Sequence, residues 1–154
     1  MKSINNYISE KLVINKNTGK IHYNYVPKTK KELQDIIKQR IKKEGNKCNL
    51  NDIDVSKITD MSELFCNSKF NGNISRWDVS NVKYMFGMFA CSKFNQDISD
   101  WDVSKVEDMS VMFYNSNFNQ DISLWDVSKI TKAGMTNIFN NSPLEGKEKE
   151  WWNK

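Results

Sequence analysis

Histidine is nearly absent: His22 stands alone among 154 residues. A single imidazole excludes H-E-x-x-H zinc motifs and His-rich metal sites. It leaves no Ser-His-Asp triad except one routed through His22, which falls in a segment read as a strand, where a structural role fits better. Cysteine is scarce and odd in number: Cys48, Cys66 and Cys91 match no metal-ligand spacing. They read as reduced thiols of a cytoplasmic protein. No apolar run approaches the ~18 residues of a membrane helix, and the start, Met1 to Tyr7, lacks the apolar stretch of a signal peptide. Neither G-x-x-x-x-G-K-[ST] nor G-x-G-x-x-G occurs. Together these absences predict a cytoplasmic chain that is not an enzyme and carries no cofactor or metal.

Charge is unevenly placed. Residues 1–50 hold twelve Lys/Arg against four Asp/Glu, net +8, and residues 51–154 hold eleven against fifteen, net −4. The basic part could meet an acidic protein or nucleic acid; the acidic part argues against a continuous nucleic-acid groove. No aromatic residue interleaves the lysines to stack on bases, so tight direct nucleic-acid binding is not expected.

What the chain has in abundance is repetition. Trp77, Trp101 and Trp125 are 24 residues apart, and each opens the phrase Trp-Asp-Val-Ser. Ile53-Asp54-Val55-Ser56 extends the register backwards. Met61, Met85 and Met109 keep the spacing, as do Phe65, Phe89 and Phe113, then Phe70, Phe94 and Phe118. A fixed period of this length marks units that bury their apolar faces only by stacking. The frame Leu50-x-x-Ile53-x-Val55 has the L-x-x-L-x-L spacing of a leucine-rich-repeat strand, and it recurs at Ile74, Ile98 and Ile122. After each strand, apolar residues three or four apart (Val106, Met109, Met112, Phe113) predict a short helix, capped by Ser104 and Glu107. The fold expected is a right-handed leucine-rich-repeat solenoid of the α/β class with a short parallel sheet of about four strands.

Three segments follow. Residues 1–49 read as an N-terminal cap: a β-hairpin (Lys11–Ile14 and Ile21–Val26), then a helix opened by the capping box Thr29-Lys30-Lys31-Glu32 and stopped at Gly45. Residues 50–144 form the four-repeat array, with a two-residue insertion, Ala133-Gly134, in the fourth unit. Residues 145–154 form a tail whose Trp151 and Trp152 either cover the last coil or anchor a partner.

The phrase F-N-x-D-I-S-x-W-D-V-S-x-V-x-x-M-x-x-M-F resembles the BspA-like leucine-rich-repeat family, which includes bacterial surface proteins and mycoplasma lipoproteins. Phe94 through Phe113 fits it throughout, and the match covers residues 50–144. The resemblance implies adhesion or protein interaction and carries over no catalytic residue. The missing signal peptide and the small number of repeats point to a short cytoplasmic member encoded by a phage or mobile element, acting as adaptor or inhibitor on an intracellular bacterial protein. The alternative is an adhesin-type surface repeat protein.

Candidate partner-binding positions follow from the strand reading. Asp54, Asp78, Asp102 and Asp126 would form an outward column between inward Trp and Val. Such a column is either satisfied by neighbouring Ser, Asn or Lys, or receives a partner's Lys/Arg; Ca²⁺ binding is a weaker third reading, since carboxylates are suitable hard ligands but a flat column lacks converging oxygens. Beside it, Arg76, Asp100 and Leu124 differ from repeat to repeat, as a recognition surface can. On the cap helix Lys38, Lys42 and Lys43 face outward because Leu33, Ile36, Ile37 and Ile41 must face the first coil. This basic end could engage a protein partner or stack on the acidic face of another copy. The Met column and the three tryptophans read as core rather than as a groove or a ligand platform.

Overall fold

A computed structural model describes residues 23–152. One long helix, α1 (Lys30–Glu44), precedes a stack of coils, a short 3-10 turn at Ala133–Met135 and a final helical turn, α2 (Glu148–Trp151). The Thr29 hydroxyl accepts from the Glu32 N–H at 3.2 Å, and the Glu32 carboxylate accepts from the Lys28 N–H at 2.7 Å. Gly45, at φ 86°, returns its N–H to Ile41 O. Leu33, Ile36 and Ile37 are buried against the first coil, while Lys38, Lys42 and Lys43 are exposed. The expected hairpin and His22 lie largely outside the described residues; Tyr25, in its second arm, makes an isolated parallel bridge to Ile53.

The leucine-rich-repeat solenoid with a parallel sheet is not what forms. Among the described residues there is no strand, only single parallel bridges such as Asn49 to Asn73, Asp60 to Tyr84 and Tyr84 to Asp108. The reason is local. In each L-x-x-L frame the second apolar residue donates its N–H back to the carbonyl of the first: Ile53 to Leu50, Trp77 to Ile74, Trp101 to Ile98 and Trp125 to Ile122, all at 3.1 Å. An apolar spacing of three is thus closed as a turn, not extended as a strand. A second turn follows at once, with Val82 N donating to Val79 O and Val106 N to Val103 O.

The expected repeat helices are also absent. Ser104 N donates to Asp102 Oδ1, and Glu107 N reaches across to Lys83 O, so the Ser104/Glu107 pair caps nothing. Glu63, Gly87, Val111 and Asn137 have φ between 50° and 59°, and so do Asn67, Cys91, Asn115 and Asn141. A left-handed residue every four positions stops helix propagation. The segment becomes a ribbon of consecutive turns. Odd-numbered amides leave the coil: Met85, Gly87, Phe89 and Cys91 donate to the carbonyls of Asp108, Ser110, Met112 and Tyr114 at 2.8–3.0 Å. Between them, Met88 and Ala90 donate three residues back within their own coil. Met61, Glu63, Phe65 and Asn67 repeat the pattern onto the second coil, and Met109, Val111, Phe113 and Asn115 onto the fourth. Every second amide therefore ties one coil to the next without a sheet.

Stacking in 24-residue register builds the core. Phe65, Phe89, Phe113 and Phe139 form one column with ring centroids 5.6, 5.7 and 5.8 Å apart. Phe70, Phe94 and Phe118 form a second at 6.2 Å, and the columns touch within each coil at 4.6, 4.2 and 4.1 Å. These seven rings are fully buried, each stabilising the fold by roughly 1.5–3 kcal/mol. Met61, Met85, Met88, Met109 and Met112 are wholly enclosed, and the three repeat tryptophans nearly so. Each indole donates Nε1–H to a carbonyl of the preceding coil: Trp77 to Leu50, Trp101 to Ile74 and Trp125 to Ile98, at 2.9, 3.3 and 3.2 Å. The insertion is absorbed by the 3-10 turn, whose buried Gly134 accepts from Met109 N. Trp151 and Trp152 pack on Phe139 and cover that side of the last coil.

Candidate interaction surface

The aspartate column lies on the outside of the coils, but its carboxylates already hold the backbone. Oδ1 of Asp54, Asp78, Asp102 and Asp126 accepts the N–H of Ser56, Ser80, Ser104 and Ser128 at 3.0–3.1 Å. Each is an Asx turn, which fixes the corner leaving the buried Trp or Ile. Bonds from Ser104, hydroxyl then amide, hold the Asp102 carboxyl below its ordinary range, and Ser128 does the same for Asp126. Asp97 and Asp121 are lowered by Ser99 and Ser123, there by the amide first and the hydroxyl second.

The neighbouring row has different occupants with no shared partner. Its first member, Asp52, faces the Arg40 guanidinium at 2.8 and 2.9 Å. Arg40 also grips Glu44 and the Asn49 carbonyl and lies 5.4 Å over the Tyr25 ring. Burial opposes its charge, but the bonds to Glu44 and Asp52 prevail and raise its pKa. This cluster fastens α1 to the first coil. Further along, Arg76 and Asp100 are exposed, and Leu124 is 89% exposed. Lys38, Lys42 and Lys43 sit on α1, beside the first coil; no ion pair joins them to the aspartate column among the described residues. The sequence-derived candidates thus form two separate surfaces, one basic on α1 and one mixed along the coils.

A third surface was not singled out from sequence. Asp60 and Asp108 bracket position 84 in the 24-residue register, and Ser62 and Ser110 bracket position 86. In the outer coils these are capping pairs: Ser62 N donates to Asp60 Oδ1 at 2.7 Å and Ser110 N to Asp108 Oδ1 at 2.8 Å. Burial raises the Asp60 pKa, but the Ser62 bonds and Lys30, at 3.1 Å, outweigh it and leave the carboxyl low. The middle coil replaces the pair with Tyr84 and Phe86, exposed by 44% and 41% on either side of the buried Met85. It gives up a cap and presents two aromatic rings. Tallying which register slots break their own rule would have found them.

Among the described residues no group of three or more His, Cys, Asp or Glu is placed to hold a metal ion, and no helix is long and apolar enough to cross a membrane. Cys48 is buried and its thiol pKa is pushed up by burial; Cys66 is raised by burial and by Glu63. Neither environment activates a nucleophile.

No curated protein and no solved structure matches this chain. A family model described as "Mycoplasma protein of unknown function, DUF285" matches residues 31–152, from the first turn of α1 through the repeats to the tail. The repeat stack with its helical cap is therefore a member of the DUF285 family.

Proposed function

We propose that this chain is a non-enzymatic protein-binding module, acting as an adaptor or inhibitor on a bacterial protein partner. The observation that carries the reading is the Tyr84–Phe86 pair. Two slots that hold backbone caps in the flanking coils hold exposed aromatics in the middle one. Loss of a cap costs stability, roughly 0.5–2 kcal/mol by analogy with helix caps, and the part of each ring left in water returns none of it. Aromatic residues are the side chains most enriched at the centres of protein interfaces. Arg76, Asp100 and Leu124, varied along an otherwise repetitive row, offer a partner a separate set of contacts. The resemblance of the Trp-Asp-Val-Ser phrase to BspA-like repeats supports the same class of function.

The test restores the repeat's own rule. Tyr84→Asp combined with Phe86→Ser gives the middle coil the residues of its neighbours. The double variant is expected to melt at or above the parent temperature and to lose the partner captured from bacterial lysate by the tagged parent chain. Undiminished capture by a folded double variant would refute this assignment.

A further inference from the structure

We propose that Cys66 and Cys91 form a modification site: a dithiol that closes to a disulfide on reaction with a low-molecular-weight disulfide and so staples the first coil to the second. Register and backbone bonding bring the two together. Asn67 follows Cys66, Ala90 precedes Cys91, and the Asn67 N–H donates to the Ala90 carbonyl at 2.9 Å. The cysteines therefore flank one inter-coil bond, one on each coil. Chains bonded in this way lie ~4.8 Å apart, and one residue along adds at most ~3.8 Å, which sets the two Cα atoms about 6 Å apart. A disulfide needs roughly 4.4–6.8 Å.

Side-chain contacts continue the row. Cys91 holds the slot of Asn67 and Asn115. The Asn67 amide donates to the Cys66 sulfur at 3.3 Å, and the Asn115 amide donates to the Cys91 sulfur at 3.7 Å from one coil further on. The second contact shows that side chains of this slot meet between coils. The same spacing sets Cys91 beside Asn67, whose amide already touches Cys66. Burial, then the Glu63 carboxylate, then the Cys91 sulfur raise the Cys66 pKa, and the last of these acts only between close neighbours.

Two further features mark the pair. Both thiols are free and partly exposed, whereas Cys48 is buried. Cys91 also has φ 54° in a slot that elsewhere carries Asn67, Asn115 and Asn141. Asparagine tolerates left-handed backbone better than cysteine, so this coil accepts strain to place a sulfur here. In the reaction the Cys91 thiolate attacks one sulfur of the small disulfide, forms a mixed disulfide and expels a small thiolate. The Cys66 thiolate then attacks the Cys91 sulfur and expels the second. The two cysteine protons end on the two small thiols, and the small disulfide takes up the two electrons that the cysteines lose. Its raised pKa slows Cys66 against outside reagents, but less so against a sulfur already held alongside.

Glutathione disulfide is the probe. The native full chain should lose two hydrogens in mass, and peptide mapping without reductant should link Cys66 to Cys91. The melting temperature should rise by roughly 4–16 °C and return with dithiothreitol. Cys48→Ser should behave as the parent. Cys66→Ser should stop at a glutathione adduct on Cys91, without the rise. In urea the selectivity should vanish, because the shorter loop from Cys48 to Cys66 then competes. An internal bond to Cys48 in the native chain, a disulfide-linked dimer, a glutathione adduct that persists on Cys91 of the parent, or an oxidised form that melts below the reduced one would overturn the assignment.

Discussion

Gly87 offers the sharpest distinction between a ribbon of turns and a strand. Its φ is 56°, and it shares its slot with Glu63, Val111 and Asn137. A Cβ built there would meet Glu63 Cγ at 3.6 Å, Val111 Cγ2 at 3.7 Å and Ala90 Cβ at 3.9 Å, all ordinary contacts. Any cost of substitution is therefore conformational rather than steric. Left-handed backbone costs an L-residue roughly 1–2 kcal/mol, least for Asn and most for β-branched side chains. The narrower unfolded ensemble offsets about 0.4–1 kcal/mol of that. Gly87→Asn should thus lie within about 0.5 kcal/mol of the parent, Gly87→Ala should cost about 1, and Gly87→Val about 1–2. At 2–4 °C per kcal/mol for a chain of this size, Val should lower the melting temperature by roughly 2–8 °C. Urea unfolding followed by tryptophan fluorescence gives the three values. In a strand the order would reverse, because Val is favoured and Asn disfavoured there. A Val variant as stable as the Asn variant would refute the turn assignment.

Three further outcomes follow from the packing and the charges. Phe89→Ala, which removes a ring stacked on Phe65, Phe94 and Phe113, should cost about 3–5 kcal/mol in urea unfolding; a loss below about 1.5 would mean that the columns are not the core. Arg40→Ala should cost about 3 kcal/mol because it leaves the largely enclosed Asp52 carboxylate with Asn24 as its remaining side-chain partner, and the loss should shrink in an Arg40→Ala/Asp52→Asn double mutant. The Asp60, Asp97 and Asp102 carboxyls are held below their unfolded values, so their stabilisation is complete above about pH 4 and disappears as pH falls through the lowered folded values. Melting temperature should therefore drop on acidification below about pH 4, and less steeply for Asp60→Asn; an unchanged profile would count against the Ser62 and Lys30 contacts.

Sequence reasoning found what repetition and end signals encode. The 24-residue period located the stack, the apolar columns located the core, and Thr29, Glu32 and Gly45 located α1. It misassigned the backbone between those columns because an apolar pair three apart suits a closed turn as well as a leucine-rich-repeat frame. The left-handed slots carry only a broken signature: Asn67, Gly87, Asn115, Asn137 and Asn141 fill five of the eight, but Glu63, Cys91 and Val111 fill the others and hide the four-residue rhythm. Stacking overrides their intrinsic preference: each amide at these positions is bonded to the next coil. The aspartate column was seen, and its Asx turns show that a repeated polar residue can be self-satisfied while staying on the surface. Tyr84 and Phe86 were legible only as exceptions to the register.

The most direct test of coil stacking is NMR measurement of scalar couplings across hydrogen bonds in the uniformly labelled chain. The ribbon of turns requires couplings from the Met85, Gly87, Phe89 and Cys91 amides to the carbonyl carbons of Asp108, Ser110, Met112 and Tyr114, with Met88 and Ala90 coupled instead to Met85 and Gly87. Amides of Met88 and Ala90 coupled to the neighbouring coil, or no coupling between coils at all, would contradict it.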